Sequence, residues 1–345
     1  MIFALVLLVV LIVSVLANLG QWASSFTPMK GSYVHARLGG PKLEEVILED
    51  NDAANKIAVV DVAGIITSSA TDQGGFTMVD LIKAQLKYAE EDRHVKAVIL
   101  KVDSPGGEVL ASDEIYHAID DFQKGENGKH GKPVIASMGN LAASGGYYVS
   151  SPCQWIVANE LTITGSIGVI LHSWNYRGLM DKVGLVPEVY KSGKYKDMLS
   201  GTREPGEVTP EERQMVQKLI DETYGKFKSV VAEGREAARE RNKDGQALAD
   251  DWEDYADGRV LSGTDAFKLG FVDELGDFDS AVKRARKIAG ISTANLIQYE
   301  QRRDLSDLFR LFGKNEAPVV KVDLGVEMPK LEAGRLYFLP PTFMH

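Results

Sequence analysis

Four short runs rich in Val and Ile constrain this chain most: IAVVDVAGII (residues 57–66), AVILKV (97–102), PVIAS (133–137) and SIGVIL (166–171). They are close to continuously apolar, so each reads as a strand buried on both faces, inside a parallel sheet that helices cover. The intervening stretches supply the helices. Leu81, Ile82, Ala84, Leu86 and Ala89 recur at helical spacing, as do Ile115, Ala118, Ile119 and Phe122. Strand and helix in alternation predict parallel sheets with right-handed crossovers. A longer helix opens at Thr209-Pro210-Glu211-Glu212, which combines an N-cap threonine, proline at the first helical position and glutamate at the third. Its pattern runs to about Arg241, and Glu233, Arg235 and Glu236 read as a solvated face.

With 345 residues the chain has ample material for one large α/β domain or two modest ones. Its 39 Lys and Arg against 49 Asp and Glu leave a net charge of -10, which argues against a nucleic-acid partner, since phosphate binding needs a basic surface. The single cysteine, Cys153, has no intrachain partner for a disulfide or a cysteine-based metal site. MIFALVLLVVLIVSVLA (residues 1–17) carries no charge and as a helix would span roughly 26 Å, near the lower limit for a bilayer. It reads as a retained anchor rather than a cleaved leader, because a basic n-region is missing and the apolar run is long. The expected organisation is an anchor over 1–19, a linker over 20–55, one catalytic domain over 56–300 and a C-terminal extension over 301–345. KGENGKHGK (124–132) is a polar loop by composition, and beyond Ala317 the chain loses periodicity and reads as an extended arm.

Two stretches could carry chemistry. In GNLAASGGYYVSS (139–151), Ser144 stands between two alanines and two glycines, small neighbours that leave a hydroxyl uncovered, as a nucleophile needs. Packing alone would also explain them. DSPGG (103–107) directly follows the strand AVILKV, so the chain turns sharply there, and backbone N–H groups of that turn could hold an oxyanion. A serine nucleophile needs a base. None of the six histidines, His35, His94, His117, His130, His172 and His345, lies in a stretch like a catalytic-triad motif, and Ser144 lacks the glycine two residues before it that a nucleophile elbow requires. The alternative base is a lysine of KSGKYK (191–196), where spacing leaves Lys191, Lys194 and Lys196 all open. Most such clusters are solvated surface.

Taken in order, DSPGG at Asp103, AASGGYY at Ala142, TGSIGV at Thr164, KSGKYKD at Lys191 and GRVLSGTDAFKLGFVDELG at Gly258 resemble the bacterial signal peptide peptidases that use a serine-lysine dyad. The resemblance covers roughly Lys56 to Gln298. It implies an α/β fold of stacked βαβ units like those of Clp protease and the crotonases, behind an N-terminal transmembrane helix. Ser144 is then similar to the family's nucleophile, Lys196 to its general base and Ser166 to the serine that orients that lysine. The backbone N–H groups of Gly107 and Gly145 would form the oxyanion hole, with no metal or organic cofactor. The resemblance also implies hydrophobic peptide substrates such as cleaved signal peptides. It further implies a homo-oligomer whose neighbouring subunits complete each site, and a single-pass position in the bacterial inner membrane with the catalytic domain outside the cytoplasm. The lysine of such a dyad must be neutral to act, so its pKa has to fall from ~10.4 toward ~7–8, which burial supplies. Two other readings are an inactive membrane-associated scaffold and a crotonase-like acyl-transfer enzyme; neither has a use for both Ser144 and Lys196.

Overall fold

Along β3 (Val95–Ser104) the side chains part to two sides. Val98, Leu100 and Val102 enter one apolar cluster, while Ala97 and Ile99 enter a second. That period of two is the strand's own geometry, and both clusters exist because helices cover both faces. The computed structural model describes residues 40–70, 75–125 and 131–301 and the backbone of 337–338. The chain divides into two units, Met1–Gly40 and Pro41–His345, and every strand and helix named below belongs to the second. The expected anchor over 1–19 lies outside the described residues, among which no helix is long and apolar enough to cross a membrane.

The strands are β1 (Leu43–Glu49), β2 (Lys56–Ala63), β3, β4 (Gly107–Glu108), β5 (Val134–Ala143), β6 (Trp155–Ala158), β7 (Ile163–Gly165), β8 (Val260–Ser262), β9 (Glu274–Leu275), β10 (Asn295–Gln301) and β11 (Tyr337–Phe338). The helices are α1 (Met78–Glu91), α2 (Val109–Lys124), α3 (Gly145–Ser150), α4 (Arg177–Lys182), α5 (Pro210–Arg241), α6 (Gly263–Lys268) and α7 (Phe278–Ala289). The main sheet runs β1-β10-β2-β3-β5-β6-β9, with β7 between β5 and β8. Neighbours from β10 to β9 pair parallel, as the alternation predicts, and β1 joins the edge antiparallel to β10. The sheet therefore begins at Leu43, within the stretch read as linker. On one face lie α1, α2, α3 and the buried half of α5; on the other, α7 sets Ala281, Val282 and Ala285 against Ile57, Ile99, Ile135 and Val157.

Two departures from the sequence reading matter. SIGVIL is not a strand: β7 is the preceding Ile163–Gly165, and it stops because Gly165 (φ 73) and Ser166 (φ 52) leave the extended region. Arg235 is not solvated. It is 1% exposed and pairs with Asp273, whose other acceptor positions take the amides of Ile156 and Gln246. A charge can be buried when another charge and peptide groups meet it, and a helical pattern does not reveal that partner.

Candidate active site

Ser144 is the hinge between β5 and α3, with φ 55 and ψ -117, a region that side chains with a Cβ avoid. Two backbone bonds hold it there: its N–H donates to the Gly165 carbonyl at 2.8 Å, and its own carbonyl accepts from Tyr148 N–H at 2.8 Å. The surrounding small residues are required by close backbone. A methyl group on Gly146 would lie 2.7 Å from the Ser104 carbonyl oxygen. Tyr147 and Tyr148 pack inward behind them, their hydroxyls donating to the Phe271 carbonyl and to Asp113. Burial pushes both phenols above their ordinary pKa, with the Asp113 carboxylate acting in the same direction on Tyr148, so they act as neutral donors. Ser144 itself is 1% exposed, and its Oγ makes no hydrogen bond among the described residues.

Ser166 reaches the same place along the neighbouring strand. β5 and β7 pair parallel with Ala143 opposite Gly165, so the next residue of each strand, Ser144 and Ser166, emerges at the same level. Ser166 is 5% exposed, and its N–H donates to the Arg259 carbonyl at 2.7 Å. In open α/β sheets the carboxyl ends of strands are where ligands bind, and β3, β5 and β7 all end here.

The end of β3 brings the two expected oxyanion glycines together. A methyl group on Gly145 would lie 3.0 Å from Gly106 Cα and 3.1 Å from the Gly107 nitrogen. Gly106, at φ 99, makes the turn, and Gly107 packs so closely on Ile66 that a methyl there would sit 1.9 Å from the Ile66 carbonyl oxygen. Glu108 secures this edge: its buried carboxylate accepts from Thr67 Oγ1 at 3.0 Å, Ser68 N–H at 3.2 Å and the Ser68 hydroxyl. Sequence reasoning passed over Glu108 because an acidic residue after a glycine turn looks like surface. Beside it, β11 pairs antiparallel with β4, Phe338 opposite Gly107.

Lys196 is placed differently. It lies in a run of turns over residues 191–200, exposed to solvent, and no hydrogen bond joins it to Ser144 or Ser166. The dry surroundings expected of Lys196 are therefore not formed among the described residues. The structure does separate the three lysines that spacing left open. Lys191 Nζ bonds both oxygens of Asp197, at 2.7 and 2.8 Å, and Lys194 lies 4.9 Å from the centre of the Tyr195 ring. The Lys196 side chain has no hydrogen-bond or ion-pair partner among the described residues. Among those residues no histidine hydrogen-bonds to Ser144, and no three His, Cys, Asp or Glu side chains gather to hold a metal ion.

Known proteins are similar to this chain in sequence. A family model described as peptidase family S49 matches residues 126–292, and one described as Clp protease matches residues 59–152. The chain is 43% identical over 236 residues to a Synechocystis protein named as a protease, covering 68% of this chain and 75% of that one. It is 35% identical over 266 residues to an Enterococcus faecium protein named signal peptide peptidase SppA, covering 76% and 72%. Protease 4 of Haemophilus influenzae is 36% identical over 244 residues, which are 70% of this chain and 36% of that longer protein. Two strained serines at the ends of paired strands, a glycine turn beside them and relatives alike over most of their length lead to one assignment: the chain belongs to peptidase family S49, with the SppA-type signal peptide peptidases.

Proposed function

We propose that this serine protease works through a Ser144–Lys196 dyad, with Ser166 orienting the lysine and the N–H groups of Gly107 and Gly145 receiving the oxyanion. The observation that carries the reading is Ser144 itself: a buried serine in a strained conformation, its Oγ without a hydrogen bond among the described residues, level with Ser166 and followed by Gly145, on which a methyl group would lie 3.1 Å from the Gly107 nitrogen. Neutral Lys196 takes the Ser144 proton as Oγ attacks the peptide carbonyl. The tetrahedral intermediate places its negative oxygen on the two glycine amides. The lysine returns the proton to the departing amine, leaving an acyl-enzyme, and water activated by the same lysine then hydrolyses the ester. Removing one oxyanion donor in such sites costs ~10²–10³ in rate.

A base must be desolvated, and Lys196 is exposed in one chain. Its arm also exposes Trp174, Val186 and Tyr190, at 76%, 76% and 92%, more apolar surface than a free arm would leave in water. These features support a homo-oligomer in which a neighbouring subunit covers the lysine and completes the site. The substrates in this reading are extended hydrophobic peptides, such as cleaved signal peptides. β4 already accepts an antiparallel strand, which is how an extended peptide adds to a sheet edge. The apolar stretch 1–17 supports anchoring at the membrane.

The test is hydrolysis of a quenched Leu-rich peptide by the full-length chain in detergent, with Ser144→Ala and Lys196→Ala beside it. Both variants should fall to background while remaining folded and assembled. Cleavage by either variant at the parent rate would exclude the dyad, and failure of the parent itself to cleave would return the chain to the scaffold reading.

A further inference from the structure

We propose that Arg203 is a positioning residue for this reaction, tying the turn that carries Lys196 to the long helix that packs behind Ser144. The inference rests on the Ser144–Lys196 reading. Lys196 belongs to no strand or helix, so something else must fix the turn it stands on. Its neighbour Asp197 does so locally: the carboxylate, 13% exposed, takes both bonds from Lys191 and lies 3.7 Å from Arg203 Nε, while its carbonyl accepts from Ser200 N–H at 3.0 Å.

Arg203 then reaches outward with its remaining nitrogens. Nη1 donates to Glu212 Oε1 at 2.6 Å; Nη2 donates to Glu212 Oε2 at 3.4 Å and to the Glu207 carbonyl at 2.6 Å. Glu212 is 3% exposed and already serves the start of α5, where it accepts from Thr209 N–H at 2.9 Å while its own N–H donates to Thr209 Oγ1 at 3.2 Å. One carboxylate thus closes the helix cap and holds the arginine. The far half of the same helix packs against α3: Phe227 meets Tyr148 with ring centres 5.0 Å apart, and a methyl on Gly234 would lie 2.5 Å from the Ser151 carbonyl oxygen. A helix is stiff over this length, so the turn bearing the base and the helix that follows the nucleophile are parts of one braced body.

An ordinary surface ion pair contributes ~0–1 kcal/mol and positions little. This one differs, because a single planar guanidinium meets Asp197, Glu212 and the Glu207 carbonyl with its side chain only 12% exposed. A lysine is one point charge and cannot span three acceptors. The neighbouring groups respond accordingly. Hydrogen bonding to Arg203 lowers the Glu212 carboxyl from its ordinary pKa, and Lys191, with Arg203 adding its charge, lowers that of Asp197.

The experiment is steady-state kinetics on the full-length enzyme with Arg203→Gln, Arg203→Lys and Asp197→Asn, followed by the double variant Arg203→Gln/Asp197→Asn. Asp197→Asn leaves the Arg203–Glu212 contact and the helix cap intact, so it answers even if loss of the arginine unfolds α5. Misplacing a catalytic group by about 1 Å can cost ~10²-fold, so kcat should fall about 10–100-fold in each single variant, with KM within about twofold. Arg203→Lys should not restore it, and the double variant should be no slower than the worse single one, because the two residues act as a unit. Lys196→Ala at background beside Arg203→Gln and Asp197→Asn at the parent kcat would overturn the tether alone. Lys196→Ala at the parent rate would overturn the dyad, and the tether with it. Single effects that multiply in the double variant would also overturn the proposal.

Discussion

At Ser144 the backbone carries strain that the hydroxyl alone cannot justify structurally. A residue with a Cβ at φ 55 and ψ -117 costs of order 1–3 kcal/mol, and glycine adopts the same angles freely. Ser144→Gly should therefore be more stable to urea than Ser144→Ala by about 1 kcal/mol or more, although neither cleaves peptide. If the alanine variant proves the more stable, the backbone there is not strained. Beside Ser166, Asp257 offers a second test. Hydrogen bonds from the Arg259 side chain and amide hold its carboxyl at about 2, and the Arg259 carbonyl in turn holds the Ser166 N–H at 2.7 Å. A carboxyl whose pKa is lowered on folding stabilises the fold above its ordinary value near ~3.9 and loses that contribution as pH falls toward the folded value. The urea midpoints of parent and Asp257→Asn should then differ most near neutrality, with roughly half that small gap left at pH ~3. An equal gap at both pH values would count against the pairing.

Among the elements, α5 is bound to the sheet through one buried ion pair. Arg235 and Asp273 are each 1% exposed in their side chains, and Asp273 also accepts from the Ile156 amide at 2.8 Å, so helix, strand β6 and the turn before β9 meet at one carboxylate. Arg235 Nε has no partner among the described residues, which leaves this arginine wholly reliant on its terminal nitrogens. Breaking such a pair from one side strands the other charge out of water. Asp273→Ala should therefore lower the unfolding free energy by about 3–5 kcal/mol in urea denaturation. A loss below ~1 kcal/mol would mean that Arg235 finds water when its partner is gone.

For the whole molecule, the issue is whether one chain is enough. The arm from Trp174 to Leu199 exposes large apolar side chains beside Lys196, which in the proposed dyad would have to be dry to act. Specific activity should fall on dilution, in step with the loss of oligomer seen by sedimentation, and Val186→Asp should give a folded, inactive smaller species. A monodisperse monomer with full activity would defeat assembly as the source of the missing burial.

Much of this was open to reading from residues alone. Continuous Val and Ile runs cannot sit on a half-exposed sheet, so the parallel sheet with helices on both faces follows from the hydrophobic pattern. The cap at Thr209 is a local signal with a local cause and stands where it was read, whereas the glycines after Ser144 are required by the backbone of Ser104 and Gly106, brought to them by the sheet. Pairing is another matter. That Ala143 lies opposite Gly165, bringing Ser144 and Ser166 to one level, depends on a register between segments distant in sequence. Spacing left three lysines equal, and the folded turn gives two of them different local partners, Asp197 for Lys191 and the Tyr195 ring for Lys194. Arg235 read as surface because a charge is buried only when its counter-charge is brought to it, and Asp273 arrives from another part of the chain. Local sequence determines what each segment can bury; which groups then meet is decided by chain topology.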